Sequence, residues 1–442
     1  MALINVMLFR RECGPQREIE VSVSISMSRP LEYDKPYARF GSRFHVMSQS
    51  NDPPDGSDRS PTDLLKRWYH IPSLLTVFAV MLWTRLQSYG NFVRNGEVYF
   101  RGNDAWYHLR ETTYLLENWP NTMLFDPWTG FPFGNQVGQF GTLWDHIMVV
   151  GIVLTRPIMG SAEEVMLVMA PLAGSLVAIP TYLIARRFVD RFAAIAGTVV
   201  LALLPGTFFS YSLVGFPDHS AAEVLFQSLA VPAFLVAFAV AEREAPVWEL
   251  FVDRDWAVLK RPTLYAAAAG VTLGLYMWTW QPGVLMVGFT GIFLAVKLTS
   301  DVAHGRSPEP IAFAGAVSMT VAGLMQVVPL NEFGFNPTNY SLLQIVLPLG
   351  VALGAVFLAW LARQWESRDL DVSTYPPAVG GLVLGSAAVV WLAIPSLWST
   401  LTGSLLRTVG FSASASARTI GEAQPPLQDA SFADFVLSQY GL

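Results

Sequence analysis

The chain has 442 residues, of which 52% are hydrophobic and 14% charged, with a formal net charge of −6 and a mean hydropathy of +0.39. Soluble domains carry roughly a quarter charged residues, so a purely aqueous fold is excluded, and the negative balance argues against nucleic acid as a partner. The single cysteine, Cys13, excludes an intramolecular disulfide or a thiolate metal cluster.

Residues 1–62 are polar and rich in Ser, Pro and Asp, with no apolar signal-peptide core. The stretch from Ser48 to Gly56 reads as disorder. Met47 would serve equally well as a start, which marks 1–62 as a disordered or mis-annotated extension. From 63 to 395 apolar runs recur at the length needed to cross about 30 Å of hydrocarbon. Spans are predicted at Ile71–Ser88, Glu164–Ala185, Ala193–Val214, Ala221–Ala241, Leu264–Trp280, Val284–Leu298, Ile311–Leu330, Leu342–Leu361 and Ala378–Ile394. The further apolar stretch Ile147–Met159 is short for a span.

The positive-inside rule sets the threading. With nine spans, Arg59, Lys66, Arg67, Arg186, Arg187, Arg191, Arg243, Lys260, Arg261, Arg306 and Arg363 all fall in cytoplasmic loops. Asp104, Asp126, Asp145, Asp218, Glu332 and Glu422, with His108, His146 and His219, fall outside. Counting Ile147–Met159 as a span puts Arg186–Arg191 outside and breaks the sorting. It therefore reads as a membrane-surface helix within a long first outer loop, 89–162. The expected fold is all-α and polytopic, with about nine spans, a cytoplasmic N-terminus and a last outer loop at 396–442. Arg85, near the end of the first span, reads as snorkelling to the interface. The spans are almost free of ionisable residues, which argues against a transporter.

Three outer segments could carry chemistry. In Arg101-Gly102-Asn103-Asp104-Ala105-Trp106-Tyr107-His108, Asp104 reads as a cap for a helix over Ala105–Asn118, with Trp106 and Tyr107 as interfacial anchors. In Gly215-Phe216-Pro217-Asp218-His219-Ser220, Asp218 reads either as a cap or, with His219, as a source of ligands for an ion such as Mn²⁺. Glu223 reads as a first-turn acid complementing the helix dipole. In Thr419-Ile420-Gly421-Glu422, Glu422 taken alone is a solvated loop acid.

In order, spacing and shared outer location, these segments resemble the catalytic subunit of oligosaccharyltransferase in its archaeal form. The stretch from Phe125 to Gly134 resembles the archaeal loop that follows the first acid. The resemblance runs from about Leu64 to the C-terminus. It implies a GT-C-type transmembrane domain in the cell membrane, with its active face extracellular. It also implies transfer of an oligosaccharide from a dolichol phosphate or pyrophosphate lipid to Asn of an acceptor Asn-x-Ser/Thr sequence. Asp104 and Glu422 match the residues that engage the acceptor amide. Asp104, Asp218 and Ser220 stand at positions of ligands for Mn²⁺ or Mg²⁺, and Ser220 departs from the usual Asp, Glu or His. His219, His146 and Trp280, the last within Trp278-Thr279-Trp280-Gln281-Pro282-Gly283, match groups near the donor phosphate. Trp280 also reads as an interfacial belt residue. The family's Trp-Trp-Asp-Tyr-Gly segment and its later phosphate-binding Arg do not occur here. The expectation is an N-terminal part of the enzyme, with a separately encoded C-terminal portion as partner. The alternative is another membrane glycosyltransferase using a lipid-phosphate sugar, against which Thr-Ile-Gly-Glu argues.

Overall fold

A computed structural model describes residues 68–137, 142–244, 247–408 and 431–440. The 1–62 extension and Glu422, with its Thr-Ile-Gly-Glu motif, lie outside the described residues.

The architecture is helical. Helix α1 (His70–Leu86) leads into the first long loop, which holds α2 (Asp104–Asn118) and α3 (Thr142–Thr155). Then come α4 (Ala162–Leu176), running into α5 (Ala178–Ala185), and α6 (Arg191–Leu203). The short α7 (Thr207–Tyr211) precedes α8 (Ser220–Ala241). The chain continues through α9 (Val247–Val252), α10 (Trp256–Thr279), α11 (Val284–Ala303) and α12 (Glu309–Met325). It ends in α13 (Leu342–Ser367), α14 (Tyr375–Ala393), α15 (Pro395–Thr408) and α16 (Phe432–Tyr440). Two small antiparallel ladders, Val93–Arg94 with Glu97–Val98 and Phe125–Asp126 with Asn135–Gln136, stiffen the first loop.

Among the described residues, five helices are long and apolar enough to cross a membrane: Ala162–Ala185, Ser220–Ala241, Gln281–Ala303, Leu342–Ser367 and Val372–Ala393. With the family relationship below, they make this a multi-pass membrane protein. Each predicted span coincides with a helix, but the third is shorter than expected. Instead of running to Val214, it stops at Leu203. Pro205 has no N–H to continue the ladder, and Gly206 adopts φ 133°, a left-handed region open to glycine. The chain restarts as α7 and then runs irregularly to Asp218.

Two apolar cores matter. The larger joins α8, α10, α11, α12 and α13 through residues such as Phe238, Leu273, Met277, Leu294, Met319 and Leu358. The smaller joins α2, α3, α4 and the start of α8 through Ala105, Trp144, Met148, Met166 and Ala222, with Phe100 from the loop before α2. This second core carries the first loop's helices and fixes the beginnings of α2, α3 and α8 against one another. The stretch expected at Ile147–Met159 begins earlier, at Thr142, so Asp145 lies in its first turn and His146 directly after it.

Arg85 does not snorkel. It is 0% exposed, and its Nε donates to Ser212 Oγ at 2.8 Å. A protein hydroxyl and the rings of Phe208 and Phe209 take the place of water around it.

Candidate functional site

The site grows from three helix starts. Asp104 opens α2, where it is exposed. The capping position belongs to Asn103, and no side-chain cap bond forms there. One helical turn later, the same face of α2 presents His108, which is 2% exposed. Helix α3 contributes Asp145, 0% exposed. The turn before α8 contributes Asp218, 4% exposed, and the half-buried His219.

Asp218 is the hub. Its Oδ1 lies 3.3 Å from His108 Nε2 and 2.8 Å from His219 Nδ1. The two imidazole nitrogens are 3.4 Å apart. On the other side, Asp218 Oδ2 accepts from the Ser220 hydroxyl and, at 3.4 Å, from the Ser220 backbone N–H. The cap position of α8 belongs to His219 and carries no side-chain cap bond; Asp218 gives Oδ2 to Ser220 and leaves Oδ1 to the imidazoles. Behind the cluster, His108 Nδ1 meets Asp145 Oδ1 at 2.7 Å. That contact fixes the imidazole plane and points Nε2 at Asp218.

Local geometry explains why Asp218 sits here. Gly215 has φ +88°, and an added Cβ would fall 2.3 Å from the Phe92 ring, so only glycine fits that bend. The Gly215 carbonyl accepts from the Arg101 backbone N–H at 2.6 Å. Trp144 Nε1 of α3 donates to the Pro217 carbonyl at 3.1 Å. The residues preceding Asp218 are therefore tied to the loop that leads into α2 and to α3.

Charge follows contact. Burial alone would push the Asp218 carboxyl up; the charge and hydrogen bonds of His219 and His108 outweigh it and hold the group well below the usual carboxylate range. Burial would lower the His108 imidazole, but Asp145, then Asp218, raise it to about 10. The His219 imidazole, also opposed by burial, is raised by Asp218. In this charge state the cluster holds protons on its imidazoles. A bound cation would replace them, because imidazole ligates in its neutral form.

His108, Asp218 and His219 offer one ligand atom each, all within 4.8 Å of one another. Their separations of 3.3, 2.8 and 3.4 Å suit adjacent positions around one ion. Ligands about 2.1 Å from a metal lie about 3 Å apart in octahedral geometry. One carboxylate and two imidazoles form a donor set common to first-row divalent metals. The residues fit a cation.

The expected site residues divide as follows. Asp218, His219 and Ser220 come together, with the Ser220 hydroxyl turned to Asp218 Oδ2. Asp104 stands one turn before His108 rather than within the three-donor group. His146 points elsewhere: its Nε2 is 3.2 Å from the Pro120 carbonyl, and its ring meets Trp119 edge-on. Trp280 ends α10 in extended conformation and packs near Tyr276, ring centres 6.3 Å apart. Two residues that sequence reading did not assign to the site enter it, His108 and Asp145. Their signals were present: His108 lies four residues after Asp104 on a helix, and Asp145 immediately precedes His146.

A second polar group braces the loop after α2. Arg110 Nε lies 3.1 Å from both Asp126 oxygens, and Thr129 Oγ1 and the Trp128 N–H also donate to that carboxylate. Burial would raise Asp126, but these donors, Arg110 foremost, bring it below its ordinary value. The bonds fold the Phe125–Gly134 stretch back onto α2.

The family model described as oligosaccharyl transferase STT3, N-terminal, matches residues 74–422. The chain is 50% identical over 371 residues to dolichyl-monophosphooligosaccharide–protein glycotransferase AglB of Haloferax volcanii, an alignment covering 83% of this chain and 35% of that protein. Its fold resembles archaeal oligosaccharyltransferase AglB from Archaeoglobus fulgidus, solved in complex with an inhibitory peptide and a dolichol-phosphate. The TM-score is 0.67 at 24% identity, over 81% of this chain and 41% of that one. The Archaeoglobus fulgidus oligosaccharyltransferase in complex with Zn and sulfate also matches, with a TM-score of 0.60 at 23% identity, over 80% of this chain and 44% of that one. The chain thus spans about a third of the length of the curated relative named above. The shared fold is the GT-C-type transmembrane architecture. A family match over most of the sequence and half-identity to an archaeal relative lead to one conclusion: the chain belongs to the oligosaccharyl transferase STT3 family.

Proposed function

We propose that this chain carries the membrane-embedded part of an oligosaccharyltransferase. The reaction moves an oligosaccharide from a dolichol phosphate-type lipid to the Asn side chain of an Asn-x-Ser/Thr sequence in an acceptor protein. The observation that carries this reading is the near-equilateral arrangement of Asp218 Oδ1, His108 Nε2 and His219 Nδ1 at the start of α8, within a chain of this family.

The chemistry asks two things of the residues. An amide nitrogen is a poor nucleophile because its lone pair is shared with the carbonyl. Carboxylates of Asp104 and Glu422, each accepting from one amide N–H, hold the acceptor Asn in a twisted and more reactive state. The leaving lipid phosphate gains charge as the sugar departs. Asp218, with the imidazoles of His108 and His219, would hold Mn²⁺ or Mg²⁺. When bound, such an ion acts as a Lewis acid toward that charge. Asp218 keeps Oδ1 aimed at the imidazoles because Ser220 occupies Oδ2. His219 uses Nδ1 toward Asp218, which leaves Nε2 as its donor to the lipid phosphate. Trp280 is assigned to the same phosphate-binding surface, whereas His146 is turned to Pro120 and Trp119. The acid-bearing loops face the cell exterior, the arginine-rich loops and N-terminus face the cytoplasm, and residues 63–395 form the transmembrane catalytic unit.

The test uses the purified full chain, with the remaining portion of the Haloferax relative supplied as a second polypeptide. A dolichol phosphate-linked glycan and an Asn-x-Thr peptide are the substrates. Peptide glycosylation that requires Mn²⁺ or Mg²⁺ and disappears with Asp218→Asn and Glu422→Gln is the expected result. Transfer that survives both substitutions or full chelation would sink this reading.

A further inference from the structure

We infer that Arg85 is a positioning residue for the Asp218 turn, an inference that rests on the reading of Asp218 as a metal ligand. A buried arginine with no carboxylate partner among the described residues is a costly feature at the end of a membrane helix. Its contacts show what it secures. Nε donates to Ser212 Oγ at 2.8 Å, and that hydroxyl in turn donates to the Phe208 carbonyl at 2.7 Å. Nη1 is 3.3 Å from the Met81 carbonyl one turn earlier on α1. The guanidinium carbon lies 5.3 and 5.2 Å from the ring centres of Phe208 and Phe209, within range of a cation–π contact. Nη2 is buried with no hydrogen-bond partner among the described residues. The backbone repeats the attachment, since the Arg85 carbonyl accepts from the Val214 N–H at 3.1 Å.

All of these contacts except that to Met81 reach one segment, α7 and the residues just after it. That segment has no regular structure between Ser212 and Asp218. Its end nearest Asp218 is held by Arg101 and Trp144, and its start by the five-residue α7 and Arg85. From α4, Gly174 closes over the junction: an added Cβ would lie 2.4 Å from Ser212 Cβ and 3.2 Å from Arg85 Nε. Arg85 therefore fixes the near end of the irregular run, while Arg101 and Trp144 hold Gly215 and Pro217 further along. A leucine or methionine would fill the same volume more cheaply. The planar guanidinium adds direction, through one N–H aimed at Ser212 and faces that meet two phenylalanines. That direction sets where Asp218 Oδ1 falls relative to His108 and His219, a placement in which a few tenths of an ångström count.

The experiment compares the full chain with Arg85→Gln, Ser212→Ala and, as a packing control two turns away on α1, Val77→Ala. Backbone hydrogen exchange over residues 212–219 and Mn²⁺ affinity are both measured in detergent micelles. Arg85→Gln should speed exchange across 212–219 at least tenfold and weaken Mn²⁺ binding at least tenfold. Ser212→Ala should move both in the same direction. Val77→Ala should lower the melting temperature and leave both readouts within twofold of the parent. Unchanged exchange in Arg85→Gln, or an equal change in Val77→Ala, would overturn the inference. So would faster exchange with unaltered Mn²⁺ affinity, because Arg85 would then hold the segment without setting the site. If the parent binds no Mn²⁺ while exchange responds as expected, the metal reading of Asp218 fails and the hold of Arg85 on the turn stands.

Discussion

Asp218→Asn keeps the side-chain shape and removes one charge, the charge around which the site is organised. It leaves two imidazole nitrogens 3.4 Å apart with no anion between them. In the parent both imidazoles are raised, His108 to about 10. Their protonated forms therefore stabilise the fold fully below the unfolded value of about 6.5. That contribution is lost as pH climbs through the folded values. In the variant His219 loses the partner that raises it, whereas His108 keeps Asp145, the larger of its two, so the contribution shrinks without vanishing. The gap between parent and variant should be widest below about pH 6.5 and narrow above it by about 1.4 kcal/mol per pH unit for each proton involved. At pH 5 the loss should be about 3 kcal/mol, since hydrogen bonds to a charged acceptor contribute about 1.5–3 kcal/mol each and Asn keeps one acceptor oxygen. Metal sharpens the contrast. Mn²⁺ at a hundred times its Kd stabilises the parent by about 2.7 kcal/mol, whereas a variant binding a hundredfold more weakly gains only about 0.4 kcal/mol at the same concentration. The assay is thermal unfolding in detergent micelles from pH 5 to 9, with and without Mn²⁺. An equal Mn²⁺ response in both proteins, or a gap that does not change with pH, would refute the reasoning.

Glu111 is buried in α2, and desolvation, then Asp145, push its carboxyl up to about 8. A raised acid favours folding fully below about pH 4.5 and loses that contribution as pH rises, so Glu111→Gln should become the more stable protein above pH 7; parallel pH–stability curves would contradict this. Arg110→Met leaves the Asp126 carboxylate buried beside Thr129 and Trp128. With Arg110 about a third exposed, the cost should be about 1–3 kcal/mol. Adding Asp126→Asn should recover part of it in a thermal melt, and no recovery would mean that Arg110 does not neutralise Asp126. Cysteine placed at Gln136 should react with an impermeant reagent on intact cells, and at Ser367 only after permeabilisation; reversal at either position would invert the proposed orientation.

Legibility followed the range of each interaction. Hydrophobic runs and loop charges are local signals, and each predicted span coincides with a helix. The third was overextended because an apolar run hides the Pro205–Gly206 break inside it. Asp218, His219 and Ser220 are neighbours in sequence, so their grouping could be read directly. His108 is 110 residues from Asp218 and 37 from Asp145, and no periodicity joins such positions. Arg85 was misread for the same reason. Its hydroxyl partner is 127 residues away, and without that partner an arginine at a helix end looks solvent-seeking. On α2 the sequence drew attention to the acid Asp104, whereas the contact with Asp218 comes from His108, one turn later.

The most direct test is pulsed electron paramagnetic resonance of Mn²⁺ bound to the purified chain, reading nitrogen couplings at the metal. Directly bound imidazole nitrogens from His108 and His219 are expected, with one coupling lost in His108→Ala and binding itself lost in Asp218→Asn. Mn²⁺ held without nitrogen couplings, or held equally well after Asp218→Asn, would contradict a metal centre built on the start of α8.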